Sequence, residues 1–213
     1  NHASIIDGCR LARAETRVFP HGDLDALEAT LRRVATSRKR VLLAVDGVYS
    51  MDGDVAPLGE MVALAQRFGA MVLLDDAHGT GTLGAHGSGT AELLGVERGI
   101  DVVVGTLGKA LGSFGAFVAG SAALRDLLVN VARSFIFSCA LAPPQVEAAR
   151  AALRLIGREP WRRQRLGANA ARLRRRLDDR DVSTHPSTTH IIPVILGGNR
   201  RTMASCERLL ERG

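Results

Sequence analysis

Ala70-Met-Val-Leu-Leu-Asp75-Asp-Ala-His78-Gly-Thr-Gly81 decides the fold. Five uncharged residues run straight into two carboxylates, an imidazole and two glycines. A short apolar run without polar alternation reads as a strand buried on both faces, the kind found in parallel sheets covered by helices. Polar residues at the carboxyl end of such a strand stand where open α/β sheets bind ligands. Upstream, Arg40 to Val45 repeats the pattern and leads to the turn-like Asp52-Gly-Asp54. Pro57 to Phe68, between the two strands, has helical periodicity; Pro57 suits a first turn and Gly69 breaks the helix. Downstream, Asp101 to Gly105 is a third strand and Gly115 to Ala119 a fourth. Ser121 to Ala132 is helical, and Ser134 to Ser138 is short and extended. After Ala142-Pro-Pro144 come two helices, Gln145 to Ile156 and Pro160 to Asp179, then a strand from His190 to Leu196 and a helix from Thr202 to Arg212. The alternation predicts an α/β fold with a mostly parallel sheet flanked by helices. Residues 1–144 are expected to form part of a large domain, and 145–213 connecting helices and part of a smaller α+β domain.

The chain has 213 residues, 46% of them hydrophobic, and a net charge of +6. That apolar content excludes wholesale disorder. No apolar run approaches the length of a bilayer-spanning helix. Cys9, Cys139 and Cys206 are an odd, scattered set without a C-x-x-C, so they suggest neither a disulfide framework nor a zinc site, and a reducing cytoplasm is the expected setting. The sequence opens at Asn1 without Met or a leader and closes at Gly213 just after a helical pattern, so it reads as a piece of a longer protein.

Positive charge concentrates between Gln145 and Arg180, with 11 arginines against 4 acidic residues. Such a run fits a solvated helix face, an anionic ligand or nucleic acid. Leu166, Ala170, Leu173 and Leu177 form one apolar stripe with the arginines largely off it, and Trp161 is the segment's one aromatic residue. The surface-helix reading is therefore preferred over a basic nucleic-acid-binding module.

Only Lys39 and Lys109 are lysines; every other basic residue, His aside, is arginine. Lys109 sits in the glycine-rich stretch Gly105-Thr-Leu-Gly-Lys-Ala-Leu-Gly112, and only a lysine can lose its proton near neutral pH and act as an amine nucleophile. Three polar clusters fall at strand ends: Ser50, Asp75 with His78, and Thr106 with Lys109. Pyridoxal phosphate (PLP) wants such a set. It needs a lysine for a Schiff base, a carboxylate at the pyridine nitrogen, hydroxyl and N–H groups for phosphate, and a donor to the phenolic oxygen. Lys109, Asp75, Thr106 and His78 suit those tasks. Plainer readings exist: Asp75 or Asp76 as a helix cap, His78 as a turn residue, Lys109 as a surface lysine. A metal is a rival for Asp75, Asp76 and His78 but leaves Lys109 unexplained. The glycines do not meet the phosphate-loop pattern, since Ala110 follows Lys109.

Asp46-Gly-Val-Tyr-Ser-Met-Asp-Gly-Asp-Val-Ala-Pro-Leu58, Asp75-Asp-Ala-His-Gly-Thr-Gly81 and Gly105 to Gly112 together resemble the α-oxoamine synthases, PLP enzymes of the fold-type I transferase class. Asn1-His-Ala-Ser4, Ser134 to Ser138 with Pro143-Pro144, and His190 to Leu196 resemble further family blocks in the same order. The resemblance implies decarboxylative condensation of an amino acid with an acyl-CoA or acyl-carrier-protein thioester, without metal, nucleic acid or membrane, in a homodimer with a shared active site. The stretch from Asp101 to Gly120 looks most like members joining L-alanine to a pimeloyl thioester in biotin biosynthesis. By the same resemblance Lys109 holds the cofactor, Asp75 pairs with its ring nitrogen, His78 reaches its phenolic oxygen and Thr106 binds phosphate. His2 stacks on the ring and joins Lys109 in catalysis, Ser50 lies near the phenolic side, and Ser138 contacts phosphate across the dimer interface. Cys139 replaces a common family hydroxyl. Family members extend beyond both ends, so an incomplete, inactive site is the expectation for this stretch alone. Other amino acids or acyl chains, and aminotransferase or lyase chemistry on the same fold, remain open alternatives.

Overall fold

A computed structural model describes residues 1–35 and 40–213; Lys39 lies outside the described residues. Two helices not anticipated from the sequence come first, α1 (Ala3–Ala12) and α2 (Leu24–Ala35). Strand β1 (Leu42–Asp46), helix α3 (Leu58–Arg67) and strand β2 (Met71–Asp75) follow, then short α4 (Thr90–Leu94), β3 (Val102–Thr106) and β4 (Ala116–Gly120). The sheet order is β1-β2-β3-β4. The first three strands are parallel, and β4 runs antiparallel to β3. A parallel return needs a crossover of a dozen residues or more, whereas the turn from β3 to β4 spans nine residues, 107–115. That turn carries Lys109. Register sets Asp46 opposite Asp75, so β1 and β2 end in one row of carboxylates.

The core lies between the sheet and helices α2 and α3. Leu27 and Leu31 of α2, Leu58, Met61, Val62 and Ala65 of α3, and Leu43, Val45, Val72 and Leu74 of the strands form one buried cluster. Truncating a side chain such as Met61 or Leu74 to alanine there costs about 2–5 kcal/mol. Burial alternates along β1 and β2: Leu43, Val45, Val72 and Leu74 are sealed, while Ala44 and Leu73 are half-buried. Strands buried on both faces were expected; the described helices seal one face fully, and β4 is largely exposed.

Two expected extended segments differ. Residues 134–138 are not extended: α5 (Ala122–Val131) is followed by a helical turn, α6 (Arg133–Ile136), as Phe135 N and Ile136 N both donate to Ala132 O. The β-propensity of Phe and Ile acts through neighbouring strands, and none pairs with this segment among the described residues. Residues 190–196 form no strand among the described residues, because no ladder pairs with them and Pro193 has no N–H to give one. Three helices occupy the remainder, α7 (Pro143–Arg158), α8 (Trp161–Asp178) and α9 (Asn199–Leu210). The apolar stripe of α8 is interrupted, since Leu173 is exposed. Two of its arginines turn inward: Arg163 donates to Ile156 O and Ala85 O, and Arg174 to Thr189 O at 2.7 Å. No described helix is long and apolar enough to cross a membrane.

The segment after α8 is fastened to the turn after β1. Thr189 Oγ1 donates to Gly53 O at 2.8 Å and Thr188 N to the same oxygen at 3.3 Å. Gly53 has φ +70°, and a Cβ there would stand 2.3 Å from Ile191 O, so both conformation and space require glycine.

Candidate active site

The turn between β3 and β4 is closed by its own backbone. Leu107 N donates to Gly115 O, Ser113 N to Leu107 O and Gly112 N to Lys109 O. Thr106 Oγ1 donates to Gly115 O and accepts from Gly108 N, both at 3.2 Å. This frame carries Lys109 to the end of β2, where its Nζ lies 3.1 Å from His78 Nε2. Lys109, His78, Ala77, Thr82, Ala110 and His190 line a cleft of about 270 Å³. Burial, then the charge of Lys109, pushes the His78 pKa down, so His78 is neutral near pH 7 and accepts from the lysine amine.

Asp75 Oδ1 accepts from Ala77 N at 3.1 Å, and no cation among the described residues pairs with this carboxylate. Its charge nevertheless acts on His78. Asp76 does something different. It is 1% exposed, with Oδ1 accepting from Thr90 Oγ1 at 2.5 Å and Oδ2 from Thr90 N at 2.9 Å. Asp76 thus tethers the first residue of α4 rather than capping the segment that follows it, where Asp75 makes the local bond, and the metal alternative loses one of its three ligands. No group of three or more metal-ligating side chains occurs among the described residues.

Burial of Asp76 outweighs the Thr90 bonds and raises its pKa to about 6. A carboxyl raised above its unfolded value stabilises the fold when protonated, and that contribution is lost as pH rises through about 6. Asp76→Asn keeps the shape without the titration. Relative to the variant, the wild type is expected to lose about 2–3 kcal/mol between pH 4 and pH 7, read from urea unfolding at each pH. Parallel stability profiles for the two proteins would refute the assignment.

His2 is tied in from the N-terminal side: its backbone N donates to Asp46 Oδ2 at 3.0 Å, and Asn1 Nδ2 donates to Ala44 O. Burial raises the Asp46 pKa against this bond. Ser50 is exposed in the turn after β1, with no hydrogen bond to the cluster. Ser138 is exposed and donates to Phe135 O at 3.0 Å. The structure therefore gathers Lys109, His78, Asp75 and Thr106 at neighbouring strand ends, brings His2 to the adjoining end of β1, and leaves Ser50 and Ser138 outside. Two neighbouring groups lie outside the set that the sequence pattern singles out. Asp46 ends β1 as Asp75 ends β2, a signal that was available. His190 opens the segment whose pattern predicts a strand, and no local pattern marks it as a pocket residue.

A family model for aminotransferase class I and II matches residues 1–213. The chain belongs to that family, and its architecture is that of the fold-type I transferases. It is 51% identical over 215 residues to the 8-amino-7-oxononanoate synthase of Geobacter metallireducens, covering 100% of this chain and 55% of the relative. Among solved structures, the Sphingomonas wittichii serine palmitoyltransferase superimposes with a TM-score of 0.93 at 38% identity, over 100% of this chain and 54% of that one. A serine palmitoyltransferase from S. paucimobilis with a bound PLP–myriocin aldimine gives a TM-score of 0.94 at 35% identity, over 100% of this chain and 55% of that one. The chain thus spans about half the length of the relatives it matches.

Proposed function

We propose that this chain carries the catalytic core of an α-oxoamine synthase, a PLP-dependent acyltransferase that condenses an amino acid with an acyl thioester and releases CO2. The observation that carries this reading is the Lys109 amine 3.1 Å from the His78 ring, both lining one cleft, with Asp75, which no cation among the described residues pairs, at the end of β2. The cofactor is pyridoxal 5'-phosphate, which when bound supplies an electron sink for charge developing at the amino acid's α-carbon. The donor set fits it: an amine, a carboxylate that no cation among the described residues pairs, a neutral imidazole and a strand-end hydroxyl. Lys109 Nζ takes the proton from the substrate α-carbon. Asp75 would hold a proton on the ring nitrogen, His78 would orient the phenolic oxygen, and Thr106 would bind the phosphate. His2 covers the ring, and Ser50 borders its phenolic side. Ser138 reaches the phosphate from the second subunit of a cytoplasmic homodimer.

The substrates are L-alanine and a pimeloyl thioester, on CoA or a carrier protein, giving 8-amino-7-oxononanoate for biotin synthesis. The oxononanoate synthase relatives support that choice. The close fit to serine palmitoyltransferase structures favours L-serine with a longer acyl chain as the second reading. Full-length protein incubated with PLP is expected to gain a visible absorption band that Lys109→Ala lacks. Product analysis with L-alanine, L-serine or glycine and pimeloyl- or palmitoyl-CoA is expected to give 8-amino-7-oxononanoate. Absence of the band in the wild type would end the enzyme reading; a 3-ketosphinganine product would replace the first substrate assignment by the second.

A further inference from the structure

His190 is the third nitrogen-bearing side chain of the cleft, and the resemblance gives it no task. Its Nδ1 is buried without a hydrogen-bond partner among the described residues. The side chain lines the cleft beside Lys109, and with Nδ1 sealed from solvent the ring's Nε2 is the nitrogen left to meet a ligand there. The other polar groups there are engaged. Thr82 Oγ1 donates to His78 O and Gly79 O, and His78 and Lys109 hold each other. Ala77 and Ala110 supply only methyl groups.

The backbone that carries His190 is irregular yet heavily fastened. Ser187 and Thr189 are buried hydroxyl residues. Thr189 Oγ1 donates to Gly53 O and accepts from Ile191 N, and Ser187 Oγ donates to Ile191 O. Arg174 donates to both Thr189 O and Ser187 Oγ. These bonds bracket residue 190 on both sides. A segment without a strand to stabilise it is thus held rigidly at the one position whose side chain lines the cleft.

We propose that His190 contacts the substrate: its imidazole, fixed by the Gly53 clasp, donates a hydrogen bond to the carbonyl oxygen of the acyl thioester beside Lys109. This rests on the α-oxoamine synthase reading. Burial lowers the His190 pKa, so the ring is neutral and offers one N–H. A neutral donor suits an uncharged carbonyl, whereas a carboxylate calls for arginine. As the new carbon–carbon bond forms, negative charge gathers on the thioester oxygen, and a preorganised donor gains strength there. No proton changes hands in this role.

The test uses full-length protein with PLP, as wild type, His190→Ala and His190→Gln. Cofactor absorbance and the L-alanine titration are expected to match wild type within about twofold in both variants. Acyl transfer by His190→Ala is expected to fall roughly 100-fold in kcat, with His190→Gln recovering at least about tenfold of it through its amide N–H. A readout independent of turnover uses imidazole ¹⁵N NMR on the wild type. An acyl-CoA analogue with CH2 in place of the thioester sulfur keeps the carbonyl and is expected to shift the His190 signals; a thioether analogue without the carbonyl is not. Equal shifts with both analogues, kcat for His190→Ala within about threefold of wild type, or lost cofactor uptake in both variants would overturn the assignment. If His190→Ala lowers the thermal midpoint, His190→Gln and the NMR comparison decide. Wild type without a cofactor band overturns the enzyme reading and this role with it; an active enzyme indifferent to His190→Ala overturns this role alone.

Discussion

Gly89→Ala is expected to destabilise the chain by about 4 kcal/mol or more, beyond the usual range for a surface loop. A Cβ at Gly89 would stand 1.7 Å from Asp76 Oδ2, at a backbone φ of +108°. Asp76 has nowhere to retreat. A Cβ at Gly79 would meet its Oδ1 at 2.1 Å, and one at Gly47 at 2.7 Å, so three bare backbones collar a single carboxylate. The loop is pinned as well: Gly89 N donates to Leu83 O, and Thr90 N to Asp76 Oδ2. Relief requires turning Asp76 away, which leaves a buried carboxylate and the Thr90 donors unpaired. The control is Gly59→Ala in α3, where nothing lies within 4 Å of a new Cβ and alanine favours the helix. Urea unfolding of both variants beside wild type measures the contrast. A Gly89→Ala midpoint equal to that of Gly59→Ala would contradict the collar.

Lys109→Arg is expected to keep the fold and lose the reaction. Lys109 is exposed on a turn whose hydrogen bonds are made by backbone groups and the Thr106 hydroxyl, not by its own side chain, so the thermal midpoint should stay at the wild-type value. Charge and length are nearly conserved, yet guanidinium stays protonated and cannot serve as amine or base. Turnover by the full-length protein is expected to fall at least about 10³-fold, and PLP should no longer be held covalently. An arginine variant within about tenfold of wild-type turnover would remove Lys109 from the chemistry.

The parallel strands and α3 were legible because each element is short, apolar and punctuated by glycine or proline. Lys109 was legible for a compositional reason: a chain that otherwise relies on arginine makes one lysine among glycines stand out. His78 and Asp75 follow from their strand end. What escaped depends on distance along the chain. The helical turn at 133–136 and the unpaired run at 190–196 are decided by which neighbours are present, and a local apolar pattern carries no such information. The same holds for His190, whose place is set by Gly53. Asp76 was ambiguous beside Asp75 until Thr90, fourteen residues on, was seen to occupy both of its oxygens.

The Thr189–Gly53 hydrogen bond joins residues 136 positions apart. At ribosomal speeds of about 5–20 residues per second, Gly53 waits about 7–27 s for its partner to be made. Lys109 and His78 are only 31 residues apart and can meet while the polypeptide is still being synthesised. The two walls of the cleft are therefore synthesised at different times, the reactive amine early and the His190 side late.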